Sequence, residues 1–440
     1  MKFISLVLFF FYISGSIYSI SYEEARHLLH RTGFGASEDE IQALIPLDYE
    51  KAVENLLNNT RTTAIGKKPN LNEKKKLREK LQIWWIEEML DTPSPFTERM
   101  VLFWHNHFVS AMSKVPPKFM YKQNLLYRKN AFGNFAVLLE EITKDPAMIL
   151  YLDLQSNKAE APNENFAREL FELFTLGEGK YSEEDIKQAA KAFTGYSIKH
   201  KTGEFHFNKN QHDISKKNCM GVSGRLIGED IIKEALIKKR GMDVAKFITK
   251  KVWLEFVSNK INNKEIQRIA KVFHGSNFEI KILMKEILMA EDFRNPDNYG
   301  TMIKSPIELI VGTLRTLDSD VENTGTLISF SKRMGQDILN PPSVKGWEGK
   351  ELWISTHSLA VRKQFLTRVT RGQEMKRKKQ MMMMKVSSES PLNWEFTPKN
   401  KTKLLSLLLP IPSVFQPEEE DDDMDDFVHW ALIDPAYQMK

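Results

Sequence analysis

The chain has 440 residues, of which 42% are hydrophobic, and this is enough for one or two globular domains with a sizeable core. The formal charge is only +5, and basic and acidic residues are mostly interspersed, which argues against a nucleic-acid-binding protein. Cys219 is the only cysteine, so no internal disulfide can form and the fold must depend on its core.

The first 19 residues have the pattern of a secretory signal peptide. Lys2 is followed by an apolar run over residues 4–13 and then by small residues, with Ser14, Ser16 and Ser19 near possible cleavage points. The alternatives are an uncleaved anchor, for which the run is short, and an N-terminal helix of the core. No later segment is long and apolar enough to span a bilayer. The sequence therefore predicts an exported protein, periplasmic or extracellular.

Residues 20–370 carry apolar side chains mainly at helical spacing. Ser21, Ser37 and Ser182 fit positions that cap helix starts, and Ser305 precedes a proline that would open another helix. The period changes only near residues 195–198 and 204–207, which are typical of two short strands. We therefore predict a mainly α fold, namely a large multi-helix domain with a small two-stranded β insertion.

The composition changes after residue 371. Residues 371–385 are strongly basic, and residues 417–426 form a nearly solid acidic block. Blocks of like charge repel themselves and seldom pack, so we predict a mostly disordered tail over residues 371–440. The alternative is that the basic and acidic runs pair with each other.

Residues 163–177 form the most informative stretch, an amphipathic helix that ends on Gly177. On a helical wheel Glu164, Arg168 and Glu169 lie opposite an apolar arc, and Glu164 is four residues from Arg168, a spacing that suits an ion pair. One interpretation is a surface helix with salt bridges. The other is a cleft-lining cluster in which a carboxylate acts as an acid or base and Arg168 stabilises negative charge.

His105 and His107 are further catalytic candidates, within a segment of helical pattern. Two residues apart on a helix, the imidazoles point in nearly opposite directions, so at most one faces a given site. A hydrogen-bonded packing histidine is the alternative for His105.

His212 and Asp213 are candidate metal ligands or an acid–base pair on the irregular loop after the second strand. The alternative is a turn-forming aspartate beside an exposed histidine. If the protein uses a cofactor, a divalent metal is the kind that this pair would suit. Trp347 and Trp353 would form either a wall that stacks on sugars or an aromatic anchor for their proline-bounded loop.

Five segments together resemble the bacterial family called domain of unknown function 1800. They are residues 25–35, 99–108, 163–177 with 192–195, 207–221, and 340–353, so that the resemblance spans roughly residues 22–370. It implies an exported, mainly helical protein whose gene neighbours suggest a sulfatase-like exported partner, and it implies no reaction. The family usually carries histidine where Phe174 stands and glycine where Ser215 stands, which weakens the case for a metal.

Two functional hypotheses follow. The first is a metal-assisted or acid–base hydrolase of an envelope or extracellular polymer, with a polar cleft where the candidate residues meet. The second is a non-enzymatic binding or assembly protein of the cell envelope, which the absence of a familiar catalytic motif favours. The first requires Glu164, Arg168, one imidazole and Asp213 to converge in space.

Overall fold

The computed structural model describes residues 19–70, 76–199, 201–319, 323–381, 400–415 and 424–440, with side chains for all of these except residues 372–381. The predicted signal peptide, apart from Ser19, lies outside the described residues. Within the described ranges, none of the helices combines the length and the hydropathy that a bilayer-spanning segment needs.

Helices dominate the described residues, as the spacing of apolar residues predicted. In chain order they are α1 (Tyr22–Thr32), α2 (Glu38–Leu44), α3 (Tyr49–Asn58), α4 (Leu77–Asp91), α5 (Pro95–His107), α6 (Pro117–Asn130), α7 (Phe135–Thr143), α8 (Pro146–Tyr151), α9 (Asn165–Glu169), α10 (Glu183–Ala192), α11 (Gly228–Asp230), α12 (Gly241–Phe256), α13 (Asn263–Gly275), α14 (Ile280–Met289), α15 (Glu291–Arg294), α16 (Pro306–Thr316), α17 (Thr324–Arg333), α18 (Thr356–Met381), α19 (Lys401–Leu408) and α20 (Met424–Ile433). Helices α9 and α11 continue as π-helical turns over Leu170–Thr175 and Ile231–Lys239.

Two small antiparallel hairpins interrupt the helices after α10. Strands β1 (Tyr196–Lys199) and β2 (Glu204–Phe207) form the predicted hairpin, with Tyr196 opposite Phe207. The second hairpin, β3 (Lys217–Cys219) and β4 (Val222–Gly224), was not predicted because its strands are only three residues long. The fold is therefore mainly α with a small β insertion, as predicted.

Serine caps fix several helix starts, and one of them helps to position the cavity described below. Ser21, Ser37 and Ser182 each cap a helix start, as predicted, and each forms a reciprocal hydrogen-bonded box with the third residue of the following helix. Ser305 does the same at the start of α16, where its backbone N–H donates to Glu308 Oε2 at 2.8 Å. The first turn of α16 thereby holds the Glu308 carboxylate in place.

The core between α4, α5 and α6 contains a buried ion pair. Arg128 Nε and Nη2 donate to the two carboxylate oxygens of Glu98 at 2.6 and 2.8 Å, and both side chains are almost fully buried. The Trp85 indole N–H also donates to Glu98, at 3.1 Å. The bidentate geometry compensates much of the cost of removing both charges from water.

The prediction of a disordered tail is wrong for residues 400–415 and 424–440. Helix α20 packs on α18 and α19, and Phe427 and Tyr437 are buried. The Tyr437 hydroxyl lies 2.8 Å from Thr313 Oγ1 of α16. Apolar side chains between the charged runs therefore dock this segment, although the average composition is dominated by the charges.

The last residues continue the packing beyond α20. The backbone N–H of Lys440 donates to the Met302 carbonyl at 2.7 Å, so residue 440 lies beside the start of α16. Among the described residues, the basic and acidic runs meet where Arg371 Nη2 lies 2.7 Å from Asp426 Oδ1 at the surface. The rest of the acidic block lies largely outside the described residues.

Candidate functional site

The polar face of α9 is turned to solvent, where it forms ion pairs with α10. Arg168 Nη1 and Nη2 donate to the carboxylate oxygens of Glu183 at 2.9 and 2.8 Å, and Arg168 Nη2 lies 3.2 Å from Glu164 Oε2. The Arg168 and Glu164 side chains are 36% exposed, and Glu183 is 67% exposed. This geometry fits the surface-helix interpretation and links two neighbouring helices.

Glu169 is separate from that cluster. Its side chain is half-buried and forms no hydrogen bond or ion pair with other described residues. Burial and the neighbouring Glu172 raise the pKa of Glu169, while Arg168 and Lys345 partly offset the rise. Glu169 is therefore close enough to Lys345 to respond to its charge, although it does not line the cavity to which Lys345 belongs.

His105 and His107 are both buried in the core, on different sides of α5. His105 packs edge-on against Trp85 and lies 5.6 Å from Trp347, measured between ring centroids, and its Nε2 has no partner in the described structure. His107 Nε2 lies 3.1 Å from the Phe174 carbonyl, to which it donates in its neutral tautomer. Burial lowers the pKa of each imidazole to about 3, and for His107 Lys251 adds to the shift.

His212 and Asp213 form a hydrogen-bonded turn. His212 Nδ1 lies 2.9 Å from the Thr194 carbonyl, and the Asp213 carboxylate accepts from the backbone N–H and the hydroxyl of Ser215 at 2.7 and 2.5 Å. Burial alone would raise the pKa of Asp213, but the hydrogen bonds from Ser215 and the charge of Lys217 lower it. These contacts match the turn interpretation.

The described structure does not bring the predicted residues into one site. The α9 cluster lies at the surface, the two imidazoles lie in the core, and the His212–Asp213 turn packs on Thr194. Among the described residues, no group of three or more His, Cys, Asp or Glu side chains is placed to hold a metal ion. A helical wheel shows which residues share a face, but it does not show which face turns inward.

A different set of residues surrounds a cavity of ≈ 360 Å³. The cavity lies between α5, α12, the start of α16 and the loop that joins α17 to α18. Its volume falls within the range of about 300–1,000 Å³ that is typical of small-molecule sites. Residues of two segments that carry the family resemblance, 99–108 and 340–353, meet here.

A buried charge cluster forms one wall of this cavity. Arg99 Nη2 lies 2.5 Å from Glu255 Oε1 and 2.7 Å from Glu308 Oε1, and Lys440 Nζ also donates to Glu308 Oε1. Arg99, Glu308 and Lys440 are each at most 5% exposed, whereas the Glu255 side chain is 33% exposed. The cluster therefore joins α5, α12, α16 and the end of the described chain.

The pKa values of this cluster follow from burial and pairing. Burial would raise the pKa of Glu308, but Arg99 and Lys440 lower it to about 2, so the group is ionised. Burial lowers the pKa of Lys440 to about 8 against the opposing effect of Glu308. Burial also lowers the pKa of the nearby Lys304 to about 7, again with Glu308 opposing the shift.

Three further lysines line the cavity without a carboxylate partner. No carboxylate oxygen of the described residues lies within 4.0 Å of the amino groups of Lys251, Lys345 or Lys350. Desolvation lowers the pKa of Lys251, and the nearby charges of Lys250 and Lys350 add to the shift. Five cationic and three acidic side chains line the cavity, which therefore carries excess positive charge.

Trp347 anchors the loop that closes one side of the cavity. Its backbone N–H donates to Asn106 Oδ1 at 2.8 Å, and its carbonyl accepts from Asn106 Nδ2 at 3.2 Å. Gly346, at φ +80°, allows the close approach, because a Cβ atom there would lie 2.8 Å from the Asn106 carbonyl oxygen. Both tryptophans line the cavity, but Trp347 is only 6% exposed and anchors the loop, whereas Trp353 is partly exposed.

Sequence reasoning missed most of this cavity. Arg99 lies in a segment that supported the resemblance but was not nominated as a site residue. Ser305 was predicted to open a helix, but Glu308, three residues later, was not named; the capping pattern of the two residues could have signalled an ordered Glu308, although not its partners. Lys440 gave no signal, because it follows the acidic block in a segment predicted to be disordered.

Comparison with protein families gives one match. The model described as "Protein of unknown function (DUF1800)" matches residues 27–439, which is nearly the whole chain and includes much of the segment first assigned to a tail. No curated protein and no solved structure matches the chain.

Proposed function

The chain belongs to the family described as protein of unknown function DUF1800, and from the geometry of its cavity we propose that it is a non-enzymatic protein that binds an anionic ligand. The observation that carries the proposal is the set of three lysines, Lys251, Lys345 and Lys350, whose charges the described residues leave unpaired. Lysines held around one concave site attract anions more strongly than isolated surface lysines do, because their fields add.

The cavity offers less support for hydrolysis. Glu308 is held ionised by Arg99 and Lys440, so it is a poor proton donor near neutral pH. His107 donates its Nε2 proton to the Phe174 carbonyl, and burial lowers its pKa to about 3, which makes it a weak base. Both groups are therefore better suited to a structural role in the cavity wall than to proton transfer. Hydrolysis of an envelope polymer stays a prediction.

Export also stays a prediction, which rests on the first 19 residues. Cell fractionation of a tagged full chain addresses it: an exported protein is found outside the cytoplasmic fraction and is shortened if the signal is cleaved. Recovery of the uncut chain from the cytoplasm alone would contradict export, without affecting the proposed ligand chemistry.

Isothermal titration calorimetry with simple anions tests the proposed function. We expect tripolyphosphate to bind the purified protein with an affinity that falls as salt is raised, because the attraction is electrostatic. The Lys345→Ala/Lys350→Ala double variant should bind about tenfold more weakly, since each partly screened contact contributes up to about 1 kcal/mol.

The matched control is the Lys264→Ala/Lys271→Ala double variant, which removes the same charge from exposed positions of α13 outside the cavity. Its affinity should equal that of the wild type. Equal losses in the two double variants, or no binding of sulfate, phosphate or tripolyphosphate by the wild type, would overturn the proposal. Chemical turnover of a bound ligand would overturn its non-enzymatic part.

A further inference from the structure

We infer that the ligand of this cavity is an acidic saccharide, an inference that rests on the proposed binding of anions and names the ligand class. The cavity combines two kinds of polar group: amino groups of exposed lysines, which attract anions, and oxygen atoms that lack a donor among the described residues. Saccharides with carboxylate or sulfate substituents supply both, because their anionic groups accept and their hydroxyl groups donate hydrogen bonds.

The oxygen atoms that lack donors belong to Asn259 and Glu255. Asn259 Oδ1 is buried and has no hydrogen-bond partner among the described residues. Arg99 contacts only Oε1 of Glu255, which leaves Oε2 without a donor from the described part of the chain. Buried acceptors in native proteins are almost always paired, so a donor is expected to reach Asn259 Oδ1 when the cavity is occupied. The Glu255 side chain is 33% exposed, so its Oε2 can accept from solvent or from a ligand.

A purely inorganic anion can pair with the lysines but cannot donate a hydrogen bond to this wall. Sulfate and fully ionised phosphates present only acceptor oxygens, which would satisfy the lysines but would be repelled by the Glu255 carboxylate. Hydroxyl groups can donate to Asn259 Oδ1 and Glu255 Oε2, while an acidic substituent on the same molecule reaches Lys345 or Lys350. The exposed lysines and the acceptor oxygens of this wall therefore favour a ligand that carries both functions.

Trp353 provides an apolar surface in the same cavity. It is partly exposed, lines the cavity and follows Lys350 in the same short turn, Lys350–Trp353. Aromatic side chains with one accessible face contribute a flat apolar surface beside a few polar groups, and this combination suits a ring with an apolar face and polar edges. A sugar ring has this character, whereas a polyphosphate chain does not.

Three ligands separate the parts of this inference in calorimetric titrations of the full chain. Trigalacturonate carries both carboxylates and hydroxyl groups, galactotriose carries hydroxyl groups alone, and tripolyphosphate carries charge alone. We expect trigalacturonate to bind at least about tenfold more tightly than either of the other two, since it alone can use both sets of groups.

Variants test the wall that the inference assigns to the sugar. Trp353→Ala and Asn259→Ala should each weaken trigalacturonate binding by about threefold to tenfold, and leave tripolyphosphate binding unchanged. Trp353→Phe should retain most of the trigalacturonate affinity that Trp353→Ala loses. Trp430→Ala, which removes a partly buried tryptophan of α20 outside the cavity, is the matched control. Asn259→Ala keeps the test decisive if Trp353→Ala fails to fold.

The outcomes distinguish the inference from the proposed function. If tripolyphosphate binds as tightly as trigalacturonate and neither wall variant matters, the protein binds anions and the saccharide inference is wrong. If galactotriose binds as tightly as trigalacturonate, the charge is irrelevant and the proposed anion binding fails. If none of the three binds, both fail.

Discussion

Lys440 and Glu308, which lie 132 positions apart in the chain, form an ion pair inside the protein. Arg99 contacts the same carboxylate oxygen, so one buried acid supports two cations from distant parts of the sequence. The fold depends on this buried carboxylate, because its loss would leave both cations without a full counter-charge in a poorly solvated environment.

The first prediction concerns that carboxylate. Glu308→Gln should lower the free energy of unfolding by about 3–5 kcal/mol, because Arg99 and Lys440 remain buried with less compensation. Urea denaturation monitored by circular dichroism measures the change. Glu348→Gln, at an exposed position of the same cavity, is the control and should stay within about 0.5 kcal/mol of the wild type. A loss below 1 kcal/mol for Glu308→Gln would contradict the assigned role.

The second prediction concerns pH and Lys304. Burial lowers the pKa of Lys304 from 10.5 to about 7 in the folded protein, with Arg362 and Lys440 adding to the shift and Glu308 opposing it. Between these two values the unfolded chain binds more protons than the folded chain, so stability rises with pH. The destabilisation that comes from burying the charged Lys304 amino group is fully present below pH 7, and it is relieved as the pH rises towards 10.5.

Thermal unfolding at pH 7, 8 and 9 checks this prediction. Wild-type stability should rise with a slope of up to about 1.4 kcal/mol per pH unit from this one group. Lys304→Met removes the titrating amine and should flatten the rise, leaving the smaller contribution of Lys440. Parallel pH profiles for the two proteins would show that Lys304 keeps an ordinary pKa.

The third prediction compares two arginines in different surroundings. Arg128→Ala should cost about 3–5 kcal/mol of stability because it leaves Glu98 buried without its partner, whereas Arg168→Ala should cost about 1 kcal/mol or less at the surface. Chemical denaturation of both variants gives the comparison. A loss for Arg168→Ala as large as that for Arg128→Ala would contradict the interpretation of the α9 cluster as a surface link.

The fourth prediction concerns the His212–Asp213 turn. Asp213→Asn should destabilise the protein by about 1.5–3 kcal/mol, because the carboxylate accepts hydrogen bonds from Ser215 and lies 3.5 Å from the buried Lys217 amino group. A chelator should leave the wild-type Tm unchanged if the turn is held by these contacts alone. A fall in Tm with chelator, seen in the wild type and absent in Asp213→Asn, would instead indicate a bound metal.

Local sequence signals predicted the helices well and the cavity poorly. Ser305 and Glu308 are three residues apart, so their cap is readable from the sequence, and the same holds for the caps of α1, α2 and α10. The partners of Glu308 are not readable in this way, because Arg99 and Lys440 reach it only after the helices have packed. Pairings of this kind depend on long-range geometry that periodicity does not contain.

Composition was also the reason why disorder was wrongly predicted for residues 400–415 and 424–440. The acidic block dominates the average over residues 417–426, but Phe427, Val428, Ala431 and Leu432 beyond it share one broad face of α20 and are buried. Export was predicted from the first 19 residues and the sulfatase-like partner from the family resemblance. The folded structure tests neither, so both stay predictions.

The shared use of Glu308 has a consequence for protein synthesis. Translation produces Arg99 long before Glu308, and Lys440 later still, so the nascent chain carries a guanidinium that cannot yet be neutralised by its native partners. Folding of the α5 region on the ribosome would have to keep this group hydrated. We therefore expect the native packing of α5 to be completed late, after the whole described chain has emerged.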